Sequence, residues 1–359
     1  MPSDSMVTVE NIIYGSFVKH NRLEQIVFNT FSNTSIAGAT ELNVFVDLYS
    51  VLKSVFSQHF RTDISDYTAI TSGIVNMCSH YRSFFNRLSV HTKFYLIFSY
   101  NTCDLNRKFV AEYNNEFLRK SQIKMYNEMA ESNFSLLEVL CPYLPDIFLI
   151  KSTRNYEVSV IIANLIETLN DGNPNLIISK DLYPLQLCTL YPYTSYLYPI
   201  KKKGGIDDSV MIPISEKPTF RKEFWRLVSI VRNMNESTMA NLSPLNFTLF
   251  SALNRFPERN MLPITNVPTA KKIIKNIVGE EDIKIYPSQL YNDMESISTL
   301  PVASVESRFK ALDIGFMLPY YKNDPESKCI KFENLRDDGA INAINAKFFS
   351  ENPLDLNKL

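Results

Sequence analysis

The chain is poor in glycine and carries almost no net charge. Only 9 of its 359 residues are glycine. Loops that cradle phosphates need the close backbone approach that glycine allows, so such loops are not favoured here. The formal net charge is −1, and therefore no global field draws the protein to nucleic acid. Any polyanion must be bound by local basic patches.

Cysteine and histidine are also scarce. The five cysteines are odd in number and widely spaced, without a Cys-x-x-Cys pair. This pattern favours reduced, buried thiols over a disulfide framework or a zinc site. The four histidines all fall within the first 91 residues of the chain. A metal site built from histidine and cysteine is therefore not expected.

Long apolar runs and a signal peptide are missing as well. No apolar run approaches the ~18 residues of a membrane span, and the N-terminus lacks a charged segment followed by an apolar one. Hydrophobic residues make up 45% and charged residues 21%, as in ordinary soluble proteins. We expect a soluble, intracellular protein that is long enough for a sizeable core and one or two domains.

The middle of the chain predicts a strand, a helix and a second strand. A short apolar run over Asp146–Ile150 precedes an amphipathic helix over Tyr156–Ile166, and a second apolar run ends at Ser179. This is the pattern of a βαβ unit, which presents polar residues where its strands end. Glu157 and Asp181 lie at such positions. They are the first candidates for a functional site.

Further runs on both sides extend this unit to an α/β fold. A buried strand over Leu42–Tyr49 carries Asp47 near its end, and Phe94–Phe98 is a second strand. Helical spacing covers Ala69–Leu88, Leu105–Met129 and Leu136–Val139. Later segments add an irregular strand (Tyr191–Pro199), a β-like run (Val210–Pro213) and a helix (Lys217–Arg232). The predicted fold is a mostly parallel central sheet flanked by helices, with a helical C-terminal region.

The domain boundaries follow from changes in pattern. Residues 1–41 form an N-terminal extension with a helix around Glu10–Phe31, and 42–242 form the α/β domain. Residues 243–337 are a helical region interrupted by prolines, and 338–359 are a polar tail.

The order of these parts resembles the 5′-nuclease family of flap endonucleases and phage 5′→3′ exonucleases, whose core is a PIN-like doubly wound sheet. In that family the first strand ends in a metal-binding Asp, and Val46-Asp47 matches it. The second strand ends in a Phe-Asp-Gly turn, but Phe98-Ser99-Tyr100 lacks the acid. The resemblance covers Asn43 to Gly279, about two thirds of the chain.

Two further family motifs are matched in part. The Glu-Ala-Asp-Asp start of a helix is matched by Glu157-Val158-Ser159-Val160, which keeps the Glu and loses both Asp residues. The Ser-x-Asp-x-Asp-x-x-Gln-Leu motif is matched by Ser179 to Leu187, where Asp181 and Gln186 are kept and Tyr183 replaces the second Asp. Tyr183 is expected to fill the space and donate its hydroxyl to Asp181 or Glu157.

The family's nucleic-acid-binding segments are altered too. Asn106-Arg107-Lys108 and Glu112-Tyr113-Asn114 are similar to the basic segment of a helical arch, with its final Lys replaced. Residues Leu262–Ile274 are predicted to form a helix, a short turn and a second helix. Within them, Pro263 to Ala270 occupies the place of the family's helix-hairpin-helix, but it lacks the glycines that let the backbone approach phosphates. The Asp that precedes this motif has no clear counterpart near Arg259-Asn260.

Members of this family hydrolyse phosphodiesters with two divalent cations, and the departures from its motifs affect the residues that would hold these cations. The resemblance implies that Asp47, Glu157 and Asp181 are the remaining metal ligands. Three acids can hold one Mg²⁺ weakly, but not two in a catalytic arrangement. Each acid also has a structural alternative: Asp47 and Asp181 can cap the helices that follow them, and Glu157 suits the first turn of its helix.

Binding of nucleic acid rests on local cations, through salt-sensitive contacts that do not depend on sequence. The candidate residues are Arg107, Lys108, Arg119, Lys120, Lys201, Lys202, Lys203, Lys271, Lys272 and Lys275. The Lys201–Lys203 run beside two glycines can equally be an exposed hairpin tip. The basic helix after Leu105 can equally be a solvated face.

Three functions are compatible with this sequence. The interpretation that we favour is a catalytically degenerate 5′-nuclease-like protein of phage or viral type, which binds nucleic acid or a protein partner and needs no cofactor. The second is an active Mg²⁺-dependent 5′→3′ exonuclease or flap endonuclease. The third is a virion assembly scaffold, which would place the protein in the virion rather than free in the cytoplasm.

Overall fold

The structure is a computed structural model. It describes Ile13 and residues 39–59, 67–99, 104–113, 120–151, 156–200, 210–235, 239, 241–279, 281–293, 299–325 and 330–331. The polar tail, Arg119, Lys201–Lys203 and, apart from Ile13, the predicted helix over Glu10–Phe31 lie outside these residues. The side chain of Lys120 does too.

A seven-stranded sheet with the order β6-β5-β4-β1-β2-β3-β7 runs through the described part of the protein. The strands are β1 (Glu41–Asp47), β2 (His91–Phe98), β3 (Ile147–Lys151), β4 (Asn175–Ile178), β5 (Thr194–Tyr198), β6 (Val210–Ile212) and β7 (Ile330–Lys331). Strands β1 to β5 are parallel, and the two edge strands are antiparallel to their neighbours. The predicted mostly parallel sheet is confirmed.

The strand order reverses at β1, which pairs with β2 on one side and β4 on the other. In doubly wound sheets such a switch point opens a crevice at the carboxyl ends of the two strands. Asp47 is the last residue of β1, and the chain leaves β4 toward Asp181 at the same edge. The topology therefore brings these two segments together.

Eleven α-helices in the described residues flank the sheet. They are α1 (Leu48–His59), α2 (Tyr67–Asn86), α3 (Asp104–Phe109), α4 (Lys120–Leu140), α5 (Val158–Leu169), α6 (Leu187–Leu190), α7 (Phe220–Arg232), α8 (Phe247–Leu253), α9 (Val267–Val278), α10 (Val302–Leu312) and α11 (Ile314–Asn323). Helices α1, α2 and α4 pack on one face of the sheet, and α5 to α11 share an apolar cluster on the other face.

Strand β1 shows why the sheet is buried on both sides. Its residues from Leu42 to Asp47 are all buried. Val44 and Val46 belong to the cluster with α1, α2 and α4, whereas Phe45 belongs to the opposite cluster. Such continuous apolar character is typical of parallel strands covered by helices on both faces.

The helices around residue 110 differ from the prediction. The predicted Leu105–Met129 and Leu136–Val139 segments are the short helix α3 and the long helix α4, which runs without a break to Leu140. After α3 the chain turns and buries Val110 and Tyr113. The Arg107 Nε–H donates to the Tyr113 carbonyl at 3.2 Å and holds this turn.

The predicted helix-hairpin-helix is not confirmed. Helix α9 is present, but residues 262–266 before it are irregular rather than helical. The amides of Ile264 and Thr265 donate to the carbonyl of Leu253, so this segment folds back on the end of α8. Pro263 also lacks the N–H that helical pairing requires.

Candidate functional site

The three acids singled out from the sequence lie at the carboxyl edge of the sheet. Asp47 ends β1, Asp181 follows β4, and Glu157 directly precedes α5 in the connection from β3. Asp47 and Glu157 are buried, whereas the side chain of Asp181 is 21% exposed to solvent. The fold thus places all three acids at this edge, and the roles of their carboxylates differ.

The carboxylate of Asp47 is engaged by neighbouring polar groups. Its Oδ2 accepts a hydrogen bond from the Ser179 hydroxyl at 2.7 Å. Its Oδ1 accepts one from the Ser50 amide at 3.1 Å, which caps the start of α1. Burial raises the pKa of Asp47 to about 6, against the lowering effect of the hydrogen bond from Ser179. The helix-capping alternative for Asp47 therefore describes one of its contacts.

Asp181 also accepts a hydrogen bond from the backbone that follows it. Its Oδ1 accepts a hydrogen bond from the Tyr183 amide at 3.0 Å, at the start of the 3₁₀ turn Tyr183–Gln186. Burial would raise the pKa of Asp181, but the charge and hydrogen bonds of Arg259 hold it below its ordinary value. Asp181 is therefore ionised.

Arg259 joins two of the three acids, Glu157 and Asp181, through hydrogen bonds. Its Nε–H donates to Oε1 of Glu157 at 2.8 Å, and its Nη2 donates to Oε2 of the same carboxylate at 2.9 Å. Nη2 also donates to Oδ2 of Asp181 at 2.5 Å. The paired geometry with Glu157 is the two-pronged form of an arginine–carboxylate contact, among the strongest hydrogen-bonded pairs in proteins.

Tyr113 completes the contacts of Glu157. Its hydroxyl donates to Oε1 of Glu157 and accepts a hydrogen bond from the Arg259 Nε–H at 3.2 Å. The side chain is fully buried. Although the sequence indicated a remnant of a nucleic-acid-binding arch at this position, Tyr113 is part of the buried acid site.

A short loop delivers Arg259 to the acids. Phe256 and Met261 form an isolated antiparallel bridge, with backbone hydrogen bonds of 3.2 and 3.1 Å. Between them, Asn260 adopts a left-handed conformation with φ 59°, which asparagine tolerates better than most residues. We call Phe256–Met261 the arginine loop. The C-terminal region thus supplies a cation to the edge of the sheet.

A second buried arginine supports the arginine loop from α7. The guanidinium of Arg232 lies 5.1 Å from the ring centre of Phe247 and 4.4 Å from that of Phe256. Its Nε is 3.7 Å from Oε2 of Glu258, the residue before Arg259. The ring of Phe256 also lies 5.9 Å from the Arg259 guanidinium. Both arginines are therefore packed on one aromatic ring of the loop.

Tyr183 and Gln186, which follow Asp181 in the chain, contact the C-terminal helices. The hydroxyl of Tyr183 donates to the carbonyl of Ala311 at 3.4 Å, and its ring lies 5.0 Å from the Arg259 guanidinium. The Gln186 amide donates to the carbonyl of Leu312 at 2.9 Å. Tyr183 does fill space beside the acids, but its hydroxyl is directed to α10.

The donor groups at this edge do not fit a centre with two divalent cations. The oxygens that Glu157 and Asp181 would offer to a metal accept hydrogen bonds from a guanidinium. Burial lowers the pKa of Lys53, while the charges of Asp181 and Asp47 act to raise it, so a second cationic group lies near these acids. Among the described residues, no group of three or more His, Cys, Asp or Glu side chains could hold a metal ion.

The basic candidates that the structure describes lie on α3 and α9. Lys108 is exposed, whereas Arg107 is partly buried and bonded to the Tyr113 carbonyl. On α9, Lys272 and Lys275 are exposed and Lys271 is partly buried. Burial, followed by the charge of Lys275, lowers the pKa of Lys271, so these lysines repel each other.

Sequence reasoning missed Arg259, Lys53 and the position of Tyr113. For Arg259 a signal was present, because the chain has no clear counterpart of the family's Asp near Arg259-Asn260. A basic residue at the place where the resembled motif has an acid, together with three acids elsewhere in the chain, is a signal for an internal ion pair. Tyr113 gave no comparable signal, since it is 44 residues from its partner Glu157.

No helix in the described part of the chain is long and apolar enough to span a membrane. Comparison with protein-family models and with curated proteins gives no match.

Solved structures give similarities at low identity. One is a flap endonuclease of bacteriophage T5 in a pseudo-enzyme–product complex with DNA and metal ions, with 11% identity over 88% of this chain and 96% of that chain, and a TM-score of 0.46. Another is the T5 5′-exonuclease with bound zinc, with 11% identity over 88% and 97% of the two chains, and a TM-score of 0.44.

Proposed function

We propose that the protein is a catalytically inactive relative of the 5′-nucleases, of phage or viral type, that binds nucleic acid without cutting it. The observation that carries this proposal is the buried guanidinium of Arg259 between Glu157 and Asp181. It takes the carboxylate oxygens on which a metal-dependent nuclease relies.

A guanidinium cannot replace the chemistry of a divalent cation. A bound Mg²⁺ lowers the pKa of water and polarises the phosphoryl oxygen, because both can enter its coordination shell. Arginine only donates hydrogen bonds and stays protonated. Burial acts to lower the pKa of Arg259, but Asp181 and Glu157 raise it well above its ordinary value. The residue therefore neutralises the acids and offers no activated water.

Exposed cations support the binding half of the proposal. Lys271 and Lys275 are four residues apart on α9, so they lie on one face of the helix, with Lys272 beside them. Like charges at this spacing destabilise a helix, and a polyanion would relieve their repulsion. Segment 255–279 contains a single acidic residue, Glu258, and it lies near Arg232. The outer face of α9 is thus a local basic patch on a nearly neutral protein.

A cleavage assay tests the first half. The purified chain is incubated with labelled 5′-flap DNA and nicked duplex in Mg²⁺ or Mn²⁺, and the products are separated on a denaturing gel. We expect no cleavage above a blank. Metal-dependent cleavage that both Asp47→Ala and Asp181→Ala abolish would overturn the proposal in favour of an active 5′→3′ exonuclease or flap endonuclease.

Retention of the same DNA tests the second half. We expect salt-sensitive retention in a filter or mobility assay, because phosphate contacts release counterions. The variant Lys272→Ala/Lys275→Ala should weaken retention several-fold. Lys124→Ala is the matched control, since Lys124 is an exposed lysine on α4 with 86% side-chain exposure. Equal losses in both variants, or no retention by the unmodified chain, would count against nucleic-acid binding and favour a structural role.

A further inference from the structure

We propose that Glu157 and Asp181 form a site that can bind a divalent cation, and that the guanidinium of Arg259 occupies this site and prevents the cation from binding. The arginine loop is then an autoinhibitory contact within the chain. This inference rests on the proposed function, because it explains how the acid site is kept free of metal. It goes further by stating that the carboxylates keep their capacity to bind a cation.

The position of the Arg259 Nη2 atom defines the latent site. Oε2 of Glu157 lies 2.9 Å away and Oδ2 of Asp181 lies 2.5 Å away, although these residues come from different connections at the sheet edge. One atom is thus a cationic centre that touches two carboxylates at once. Mg²⁺ and similar ions are held in proteins by one or two carboxylates plus waters at about 2.0–2.1 Å. A small inward movement of either side chain would provide this geometry.

The surroundings prevent the acids from remaining unpaired. Glu157 is buried, and the side chain of Arg259 is only 3% exposed. Removing one partner of a buried ion pair leaves an uncompensated charge, which is strongly unfavourable. Without the guanidinium, the pair must take up protons or another cation, because the one charge of the nearby Lys53 cannot balance two carboxylates. At neutral pH with Mn²⁺ present, a divalent ion is the stronger competitor, since two carboxylates share its charge.

Contacts within the arginine loop hold Arg259 in place. Its ends are tied by the Phe256–Met261 bridge. The guanidinium's third nitrogen, Nη1, donates to the carbonyl of Glu258 at 2.9 Å, so Arg259 is braced by its own loop. Arg232 lies beside the same loop through Phe256 and Glu258. The guanidinium therefore does not depend on ions from solution.

The experiment measures Mn²⁺ binding rather than activity. Thermal unfolding of the full chain and of Arg259→Ala is followed with 0 to 5 mM Mn²⁺ at about pH 7, and free Mn²⁺ is counted by electron paramagnetic resonance. We expect no Mn²⁺-dependent change in the unmodified chain. In Arg259→Ala we expect about one bound Mn²⁺ per chain and an increase in Tm on the order of a few °C.

Two further variants make the result specific. Arg255→Ala removes an exposed arginine four residues earlier and should leave Mn²⁺ binding unchanged from the unmodified chain. Arg259→Ala combined with Glu157→Gln should lose the Mn²⁺ gain, because one of the two carboxylates is gone. If Arg259→Ala does not fold, Arg259→Gln removes the charge but keeps an amide donor, and the same criterion applies to it.

Several outcomes would overturn the inference. A folded Arg259→Ala or Arg259→Gln without Mn²⁺ binding would do so, as would variants that stay unfolded at every Mn²⁺ concentration. A gain that survives Glu157→Gln would also contradict it. DNA cleavage by the unmodified chain would instead refute the proposed function, so the two failures are distinguishable.

Discussion

The contacts of Arg259 show that the chemical role of a carboxylate depends on its hydrogen-bond partner as well as on its position in the fold. Glu157 and Asp181 occupy places where an α/β sheet presents functional groups, yet both carboxylates accept hydrogen bonds from one guanidinium. Because the guanidinium of Arg259 is buried, the negative charge of the acids is needed to neutralise it. The presence of acids at this edge is therefore compatible with the inactive site that we propose.

Asp47 carries a prediction about pH at this same scale. Burial raises its pKa from 3.8 to about 6, so the folded state binds this proton more tightly than the unfolded state. Its contribution to stability is fully present below about pH 4 and is lost as the pH rises through about 6. In Asp47→Asn this loss should be absent. The free energy of unfolding of the two proteins, measured by urea titration from pH 4 to 7, should diverge by about 3 kcal/mol.

The comparison isolates Asp47 because every other group is common to both proteins. Ser179→Ala serves as the control: it removes a hydrogen bond that lowers the pKa of Asp47, so the decline in stability should extend to higher pH and be larger in total. Parallel pH profiles for the unmodified chain and Asp47→Asn would contradict the prediction.

The sequence indicated some of these residue roles and missed others for a physical reason. Caps act over two or three residues, so Asp47 and Asp181 could be recognised as capping candidates from their position before a helix. The contact between Glu157 and Arg259 spans 102 residues. Hydrophobic periodicity reports which face of an element is buried, but it does not report which distant charge will meet another.

At the scale of elements, short apolar strands and the amphipathic helix α5 were well predicted. Their periodicity is strong, and parallel strands buried on both faces have continuous apolar runs. The helix-hairpin-helix was predicted from family resemblance and is not confirmed over its first half. There, the amides of Ile264 and Thr265 pair with the end of α8 in place of a helical ladder.

Gln186 carries the prediction for this scale, since it ties the 3₁₀ turn to the junction of α10 and α11. Its Nε2 donates to the Leu312 carbonyl at 2.9 Å, and its Oε1 accepts from the Thr248 hydroxyl at 2.9 Å and the Ile314 amide at 3.3 Å. Gln186→Leu leaves these buried groups without that partner. We expect it to lower the free energy of unfolding by about 2–4 kcal/mol in urea titration.

Thr189→Val is the matched control for Gln186→Leu. The Thr189 hydroxyl donates to the Gln186 carbonyl within one turn, at a partly buried position. Its loss should cost about 1 kcal/mol or less. If Gln186→Leu is no more destabilising than this control, the junction does not depend on Gln186.

At the scale of the whole molecule, the C-terminal helices share a core with the sheet. The cluster on the α5 face contains Phe45 and Ile177 from the strands together with Phe250, Phe309 and Tyr321 from the C-terminal region. A region that buries its apolar face against the sheet lacks a core of its own. The boundary between residues 242 and 243 is therefore a change in composition, and we propose that it does not separate two independently stable units.

Calorimetry tests this proposal. We expect one cooperative unfolding transition for the full chain, and the fragment 1–242 should expose apolar surface and bind a hydrophobic dye at temperatures where the full chain does not. Two resolved transitions, or a fragment that unfolds as sharply as the full chain, would contradict a shared core.

The fold class was the most predictable property at this scale. Alternating strands and helices indicate a mostly parallel α/β sheet, since parallel strands need crossover connections. The antiparallel pairing of β7 with β3 was not predictable. It joins residues about 180 positions apart through two backbone pairs, and so short a strand has no recognisable period.

The covalent attachment of Arg259 has a practical consequence. A metal centre exchanges with solution, so its occupancy follows the supply of ions and can be stripped by EDTA. A guanidinium held on the chain is present at a fixed ratio of one per molecule and cannot be chelated. The edge of the sheet in this protein would therefore keep the same charge in magnesium-starved and magnesium-rich surroundings.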